Sequence, residues 1–412
     1  MRLHMFYMQL EFHAVLLYAI LVAFGSIMCY DKCVMQLRRA WIERIEKAWQ
    51  RRSLIWLPGV RRVGKTCLCQ SLPAIEYFDC ELPRVRRMMN DPQDFLESQR
   101  GKRIVLDEIH RLDNPSELLK IAADNYPETL VLATGSSTLG ASAKFSDTLA
   151  GRKVELWLTP MTLEDISDFG NTNLLHRLLR GGLPPFFLAD ESPERDFQEW
   201  MDAYWAKDIQ ELFRLERRHS FQRFTELLLM QSGGMFEATR FATPCEVSRT
   251  TISNYLAVLE STFVVHVVRP FSSHRQTEIV AAPKVYAFDT GFVCYYRGWY
   301  ELRTDDLGLL WEHLVLNELH AARQSRQIGY WRDKRGHEVD FVIADRIAAS
   351  PTAIECKWSA SAFDPSCLLS FRKQYPSGQN YVIASDITQK YARTYDSVTV
   401  QFIGLADLLQ LT

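Results

Sequence analysis

The chain has 412 residues, 47% hydrophobic and 24% charged, and this balance excludes wholesale disorder, a collagen-like repeat and a polytopic membrane protein. Its 48 Lys and Arg against 50 Asp and Glu give a formal net charge of -2, so any contact with nucleic acid must be local. The nine cysteines include no C-x-x-C pair, so we predict reduced thiols in a cytoplasmic protein.

Residues 1–34 form an N-terminal apolar extension. The apolar run Ala14–Cys29 has 16 residues, whereas a spanning helix needs about 20. No A-x-A cleavage site follows it, as a signal peptide would require. We expect either a mis-called start, with Met28 or Met35 as the true first residue, or a packed helix. A membrane anchor is the alternative.

Residues 35–160 alternate helical stretches with short apolar strands. A stripe of apolar residues four apart predicts a helix over 37–50. Strands are predicted at 54–57, 76–82, 103–107 and 129–134. Strands that alternate with helices indicate a parallel sheet with helices on both faces.

A phosphate-binding loop follows the first strand. The pattern G-x-x-x-x-G-K-[ST] is matched at every position by Gly59, Val60, Arg61, Arg62, Val63, Gly64, Lys65 and Thr66. The glycines let backbone N–H groups surround phosphate oxygens, and the following helix adds a partial positive charge. Lys65 is expected to reach the β- and γ-phosphates, and the Thr66 hydroxyl to ligate Mg²⁺.

Polar residues follow two further strands. Asp107 and Glu108 end the strand at 103–107, where ligands bind in such sheets. Asp107 suits the Mg²⁺ shell, and Glu108 suits a general base for the attacking water. The segment ATGSS contains Thr134, Ser136 and Ser137, any of which can contact the γ-phosphate or simply form a turn. The sequence alone does not distinguish these three residues, and we take Ser136 as the candidate for contact with the γ-phosphate.

Residues 161–232 are predicted to form a helical lid, and residues 233–274 a winged-helix-like module. In the latter, Ser248 is a good N-cap for a helix that a strand at 263–268 follows. The polar face of that helix carries Arg249, Thr250, Ser253 and Asn254. This face fits DNA, although one arginine is few for phosphate contacts. A packing module between larger domains is the alternative.

An acidic constellation lies in residues 275–412. Alternation within a predicted β-hairpin lets Asp340 converge with Glu355 and Lys357, and Glu312 lies on a helix upstream. This layout resembles the PD-(D/E)XK nuclease superfamily. The resemblance implies that Asp340, Glu355 and Glu312 bind Mg²⁺ and that Lys357 stabilises a hydroxide. An ion pair that fixes the hairpin and an inactive nuclease-like fold remain as alternatives.

The stretches LPGVRRVGKTCL, IVLDEIHRL, LATGSS, LAGR and RGGLPPFF resemble a prokaryotic family of AAA-like ATPases that carry a C-terminal domain of unknown function. The resemblance covers residues 37–385 and implies ATP binding, hydrolysis and Mg²⁺. Many members have proline and glutamine where this chain has Val60 and Arg62, positions whose side chains are not needed to hold phosphate.

The expected fold is therefore α/β: a P-loop NTPase parallel-sheet core, a helical lid, a winged-helix module and a C-terminal α/β nuclease-like domain. Two function classes follow. In the first, an ATPase couples its nucleotide state to a C-terminal module that binds or cleaves nucleic acid. In the second, an ATP-dependent signalling or scaffold protein of the defence or toxin–antitoxin kind uses an inactive C-terminal domain to bind protein partners. A homo-oligomer is compatible with both.

Overall fold

The computed structural model describes residues 37–135, 143–190, 194–210, 217–272, 282–344 and 350–411. The predicted extension 1–34 and the candidate Ser136 lie outside this part of the chain. Within it, no helix combines the length and the apolar character that crossing a bilayer requires.

The helices are α1 (Arg39–Trp49), α2 (Lys65–Gln70), α3 (Pro83–Met88), α4 (Pro92–Ser98), α5 (Pro115–Asn125), α6 (Ala143–Thr148), α7 (Leu163–Asp168), α8 (Leu174–Arg180), α9 (Pro184–Phe187), α10 (Glu194–Ala203), α11 (Arg218–Met230), α12 (Ala238–Ala242), α13 (Arg249–Ser261), α14 (Thr290–Arg297), α15 (Thr304–Arg323) and α16 (Ser366–Gln374). A π-helical turn spans Tyr204–Ile209, and 3-10 turns span Ile109–Arg111, Ala360–Ala362 and Leu405–Leu411.

The strands are β1 (Leu54–Leu57), β2 (Glu76–Asp79), β3 (Arg103–Asp107), β4 (Leu130–Thr134), β5 (Lys153–Glu155), β6 (Gly234–Met235), β7 (Val265–Pro270), β8 (Lys284–Ala287), β9 (Gly329–Arg332), β10 (Glu338–Ile343), β11 (Thr352–Lys357), β12 (Asn380–Ala384), β13 (Tyr391–Tyr395) and β14 (Val398–Ile403).

The first sheet is parallel throughout and has the order β2-β3-β4-β1-β5 in the described chain. All four residues of β1 are buried, because helices cover both faces of a parallel sheet and leave no polar side to a central strand. The predicted α/β fold with a parallel core is therefore confirmed. Since every strand runs the same way, the ends of β1, β3 and β4 meet at one edge and bring their following loops together.

The segment after this sheet is mainly helical, as predicted. The break Gly181–Leu183, between α8 and α9, is a buried turn in which the Gly182 N–H donates to the Asp289 carboxylate at 2.5 Å. Pro184 reaches back to the phosphate loop, since a Cβ on Gly64 would lie 3.6 Å from its ring. The break therefore joins the phosphate loop to the start of α14.

The second sheet is mixed and has the order β13-β14-β12-β11-β10-β9-β7-β8-β6 in the described chain. The predicted hairpin is present as the antiparallel pair β10–β11. Strand β7 pairs antiparallel with β8 and parallel with β9, so one continuous sheet crosses residues 234–403. The boundary expected at 274 thus falls in the connection between two paired strands.

Helix α15 packs against β11 of the second sheet and is hydrogen-bonded to the segment that follows β5. An apolar stripe along this helix is buried and comprises Leu310, Trp311, Leu314, Val315 and Leu319. At its end, Gln324 accepts a hydrogen bond from the Trp157 N–H at 2.7 Å. Within the helix, the buried Glu318 accepts one from the Leu163 N–H at 2.8 Å. One hydrophobic cluster consequently extends from Trp41 to Leu408 and joins both halves of the molecule.

Candidate nucleotide site and C-terminal acidic cluster

The predicted phosphate loop, Gly59–Thr66, connects β1 to α2 at the carboxyl edge of the parallel sheet. Gly64 has φ +101°, a conformation that side chains other than glycine rarely adopt. A Cβ on Gly59 would lie 2.7 Å from the Leu158 carbonyl oxygen. The Lys65 ammonium donates to the carbonyls of Gly59 at 2.8 Å and Val60 at 3.3 Å, so it lies within the curve of the loop.

The Asp107 carboxylate is surrounded by hydroxyl groups. Thr66 donates to it at 2.8 Å, which joins the loop directly to the end of β3. Tyr77 and Thr134 also donate to Asp107. Burial and the bond to Asp107 raise the pKa of Tyr77, so its hydroxyl stays protonated. Such an oxygen-rich set around one buried carboxylate suits Mg²⁺, which is usually held by one or two carboxylates, water and phosphate.

Glu108 adopts a left-handed conformation with φ +53°, which is strained for a residue that has a Cβ. Its N–H donates to the Thr134 hydroxyl at 3.1 Å, and its carboxylate lies 3.1 Å from His110 Nδ1. Burial acts to raise the pKa of Glu108, but the His110 hydrogen bond and the Lys65 charge outweigh it and lower the pKa to about 2. Glu108 is therefore an ionised hydrogen-bond acceptor at neutral pH.

Most of the phosphate loop, together with Glu108 and His110, lines one cavity of about 320 Å³, a size typical of small-ligand sites. Its opposite wall comes from later segments and contains Pro184, Pro185, Trp200, Tyr204, Asp208, Thr262 and Val264. The wall is bonded to the loop, since the Trp200 indole N–H donates to the Arg61 carbonyl at 2.9 Å. The segment predicted as a helical lid thus lies directly against the phosphate loop.

The four predicted residues of the C-terminal site lie together on the second sheet and on α15. Lys357 Nζ is 2.7 Å from a Glu355 oxygen and 3.6 Å from an Asp340 oxygen. Asp340 also accepts a hydrogen bond from the Cys356 N–H at 2.8 Å. The predicted convergence of Asp340, Glu355 and Lys357 across the hairpin is therefore present in the structure.

Strand β8 adds two residues that the sequence reasoning missed. Lys284 Nζ lies 2.5 Å from Glu338 and 3.2 Å from Glu312, and the Tyr286 hydroxyl donates to Glu312. Lys284 and Tyr286 are two apart in β8 and so share a face of the strand. The alternation of side chains along β8 could have indicated that these two residues share a face. No local sequence pattern, however, indicates that β8 lies beside α15.

Two carboxylates of this cluster have strongly raised pKa values. Burial, with the Asp340 charge as the next cause, raises the pKa of Glu355 to about 8 and that of Glu312 to about 7. Glu355 Oε1 is buried and has no hydrogen-bond partner among the described residues. An orphaned oxygen of this kind fits a cation ligand. No three Asp, Glu, His or Cys side chains in the described ranges are placed to hold one metal ion, however.

The sequence reasoning also missed Tyr77, which contacts Asp107, and His110, which contacts Glu108. Tyr77 lies within β2, and its contact with the neighbouring strand depends on the strand order. His110 follows Glu108 by two residues, and its ring was given no role. Thr134, one of three undifferentiated candidates, is the one that the structure places against Asp107.

Three family models match consecutive parts of the chain. Residues 51–167 match an AAA domain, residues 171–303 a domain of unknown function (DUF8612), and residues 307–403 a second domain of unknown function (DUF4143). The first match contains the phosphate loop and the whole parallel sheet. Together with that sheet, it supports a P-loop ATPase core.

Relatives of this chain include uncharacterized proteins of Mycobacterium tuberculosis and Mycobacterium bovis. Each is 28% identical over 355 residues, which are 82% of this chain and 77% of the relative. Among solved structures, a Walker-type ATPase of Pyrococcus abyssi aligns with 63% of this chain and 95% of its own, at 16% identity and a TM-score of 0.42.

Proposed function

We propose that this protein binds ATP with Mg²⁺ at Gly59–Thr66 and hydrolyses it. The observation that carries the proposal is the 2.8 Å hydrogen bond between Thr66 and Asp107. It joins the phosphate loop to the acidic end of β3, with Glu108 next in the chain. A hydroxyl and a carboxylate in contact at the edge of a parallel sheet are what a metal-bound triphosphate needs.

Each residue has a distinct role in this proposal. Loop N–H groups and the Lys65 ammonium would bind the phosphates, while Thr66 and Asp107 would hold Mg²⁺. The ion would neutralise charge on the phosphate oxygens. Glu108 would accept a hydrogen bond from the attacking water and orient it. With a pKa of about 2, it is suited to positioning the water more than to holding its proton.

The first test is phosphate release by the purified full chain. We expect hydrolysis of ATP with Mg²⁺ and none when EDTA removes the ion. Stimulation by DNA at low salt would favour the coupled nucleic-acid function, because phosphate contacts strengthen as salt falls. Hydrolysis that DNA leaves unchanged would favour the signalling or scaffold function. If no nucleotide is bound or hydrolysed, the ATPase proposal is wrong.

The second half of the chain supports a winged-helix arrangement. Strand β6, helices α12 and α13 and strands β7 and β8 follow one another, and the strands lie in the order β7-β8-β6. Arg249, Thr250, Ser253 and Asn254 are exposed on α13, as the sequence predicts for a face that binds DNA. All cysteines among the described residues are free thiols, which favours a cytoplasmic protein.

We infer a second candidate activity, Mg²⁺-dependent cleavage of nucleic acid, at Glu312, Asp340, Glu355 and Lys357. The observation that favours it is the buried, unpartnered Glu355 Oε1, which a cation would satisfy. The competing interpretation is an ion-pair network, in which Lys284 and Lys357 balance part of the acidic charge and the pair between Lys284 and Glu312 holds α15 against the sheet.

A plasmid-nicking assay with Mg²⁺ separates these interpretations. We expect nicking by the wild-type chain and a loss of about hundredfold or more in Asp340→Ala and Lys357→Ala, since each removes a group needed at the metal. Lys334→Ala, an exposed lysine near the hairpin, is the matched control and should cleave normally. Unchanged nicking in both site variants would exclude this active site.

A further inference from the structure

Arg61 is the only arginine or lysine of the loop Gly59–Thr66 whose side chain forms an ion pair with a residue of the cavity wall in the described chain. Its Nε lies 3.1 Å from Asp208 Oδ2. The Arg61 side chain is 28% exposed and that of Asp208 is 9% exposed, so the pair is largely shielded from water. Both residues line the cavity that contains Lys65 and Glu108.

The loop backbone at Arg61 is fixed independently of this pair. Its carbonyl accepts the Trp200 indole N–H at 2.9 Å. The Arg61 side chain can therefore change partner without moving the loop. Arg61 lines the same cavity as Glu108, beside which water would attack.

Asp208 belongs to the π-helical turn Tyr204–Ile209. Such turns interrupt regular helices and occur often at functional sites. In the same turn, the Tyr204 hydroxyl is 2.6 Å from the Thr262 hydroxyl at the end of α13. The partner of Arg61 thus lies on an irregular segment that also contacts the helix with the exposed polar face.

We propose that Arg61 binds the terminal phosphate of a nucleoside triphosphate and that it leaves Asp208 to do so. The inference rests on the proposed nucleotide function and adds a residue that distinguishes triphosphate from diphosphate. A guanidinium presents several donors in one plane and binds phosphate oxygens through charge-assisted hydrogen bonds. A terminal phosphate carries more negative charge than one carboxylate and competes directly for Arg61. A diphosphate lacks the γ-phosphate, so no phosphate occupies that position and Arg61 stays with Asp208.

The test is the affinity of the full chain for ADP and for the non-hydrolysable triphosphate AMP-PNP, both with Mg²⁺, by calorimetry. We expect Arg61→Met to weaken AMP-PNP binding by about tenfold or more, because a charged hydrogen bond is lost. Asp208→Asn should tighten AMP-PNP binding by about fivefold, because Arg61 is then free of its carboxylate partner. ADP affinity should stay within about twofold in both variants and reports that each is folded.

Asp196→Asn is the matched control. Asp196 pairs with the adjacent Arg62 at 3.9 Å, but this pair is exposed. Neither nucleotide should change in affinity. Equal losses for ADP and AMP-PNP in Arg61→Met would make Arg61 a general structural residue and overturn the proposal. Unchanged AMP-PNP binding in Asp208→Asn would overturn the proposal that Arg61 leaves Asp208 for phosphate, but not the proposed ATPase function. A wild-type chain that binds neither nucleotide would overturn the proposed function itself.

Discussion

Lys65→Ala is expected to lower kcat/KM for ATP hydrolysis by about hundredfold or more. The ammonium is the one loop cation held within the backbone curve, where it contacts the carbonyls of Gly59 and Val60. Removing a preorganised donor from a phosphate site costs about two to three orders of magnitude in rate. Calorimetric titration with ATP measures the loss in binding, and a phosphate-release assay measures the loss in turnover.

The fold should survive this substitution, because Lys65 makes only these two hydrogen bonds and no ion pair among the described residues. Thermal unfolding of the variant checks that expectation. Lys102→Ala is the matched control, since its exposed pair with Glu76 lies away from the cavity. Full ATPase activity in Lys65→Ala would refute the assignment of the phosphate loop.

Glu108→Gln should leave ATP bound and reduce its hydrolysis by about a hundredfold to a thousandfold, the range for losing one preorganised polar group at a reacting centre. The amide keeps the shape of the side chain but carries no negative charge to polarise a water. Equilibrium titration measures ATP binding, which should be unchanged, and a single-turnover assay measures hydrolysis, which should be slower.

The pH dependence provides an independent check on Glu108. With a pKa of about 2, this carboxylate is ionised well below neutral pH, so its protonation should not limit the wild-type rate above about pH 4. An acidic rate limb near pH 6 would have to come from another group. Normal turnover by Glu108→Gln would move the water-orienting role elsewhere, with Thr134 the nearest alternative because it bonds both Asp107 and the Glu108 N–H.

Much of the parallel core follows from local sequence. The strand predictions at 54–57 and 103–107 agree with β1 and β3, because a strand covered on both faces has a continuous apolar run at its centre. The phosphate loop is equally local, since glycine at 64 meets a positive φ that other residues avoid. Period-two alternation was also sufficient to bring Asp340 and Glu355 to one side of a hairpin.

Periodicity reports which face of an element is buried, but not which distant element covers it. Arg61 and Asp208 are 147 residues apart, and only the packing of the π-helical turn against the loop brings them together. Lys284 reaches Glu312 for the same reason, because β8 enters the second sheet next to α15. The sequence by itself thus determined the α/β core, the phosphate loop and the hairpin acids. The tertiary structure decided the partners of those residues, because a contact between remote segments depends on how whole elements pack and leaves no local pattern.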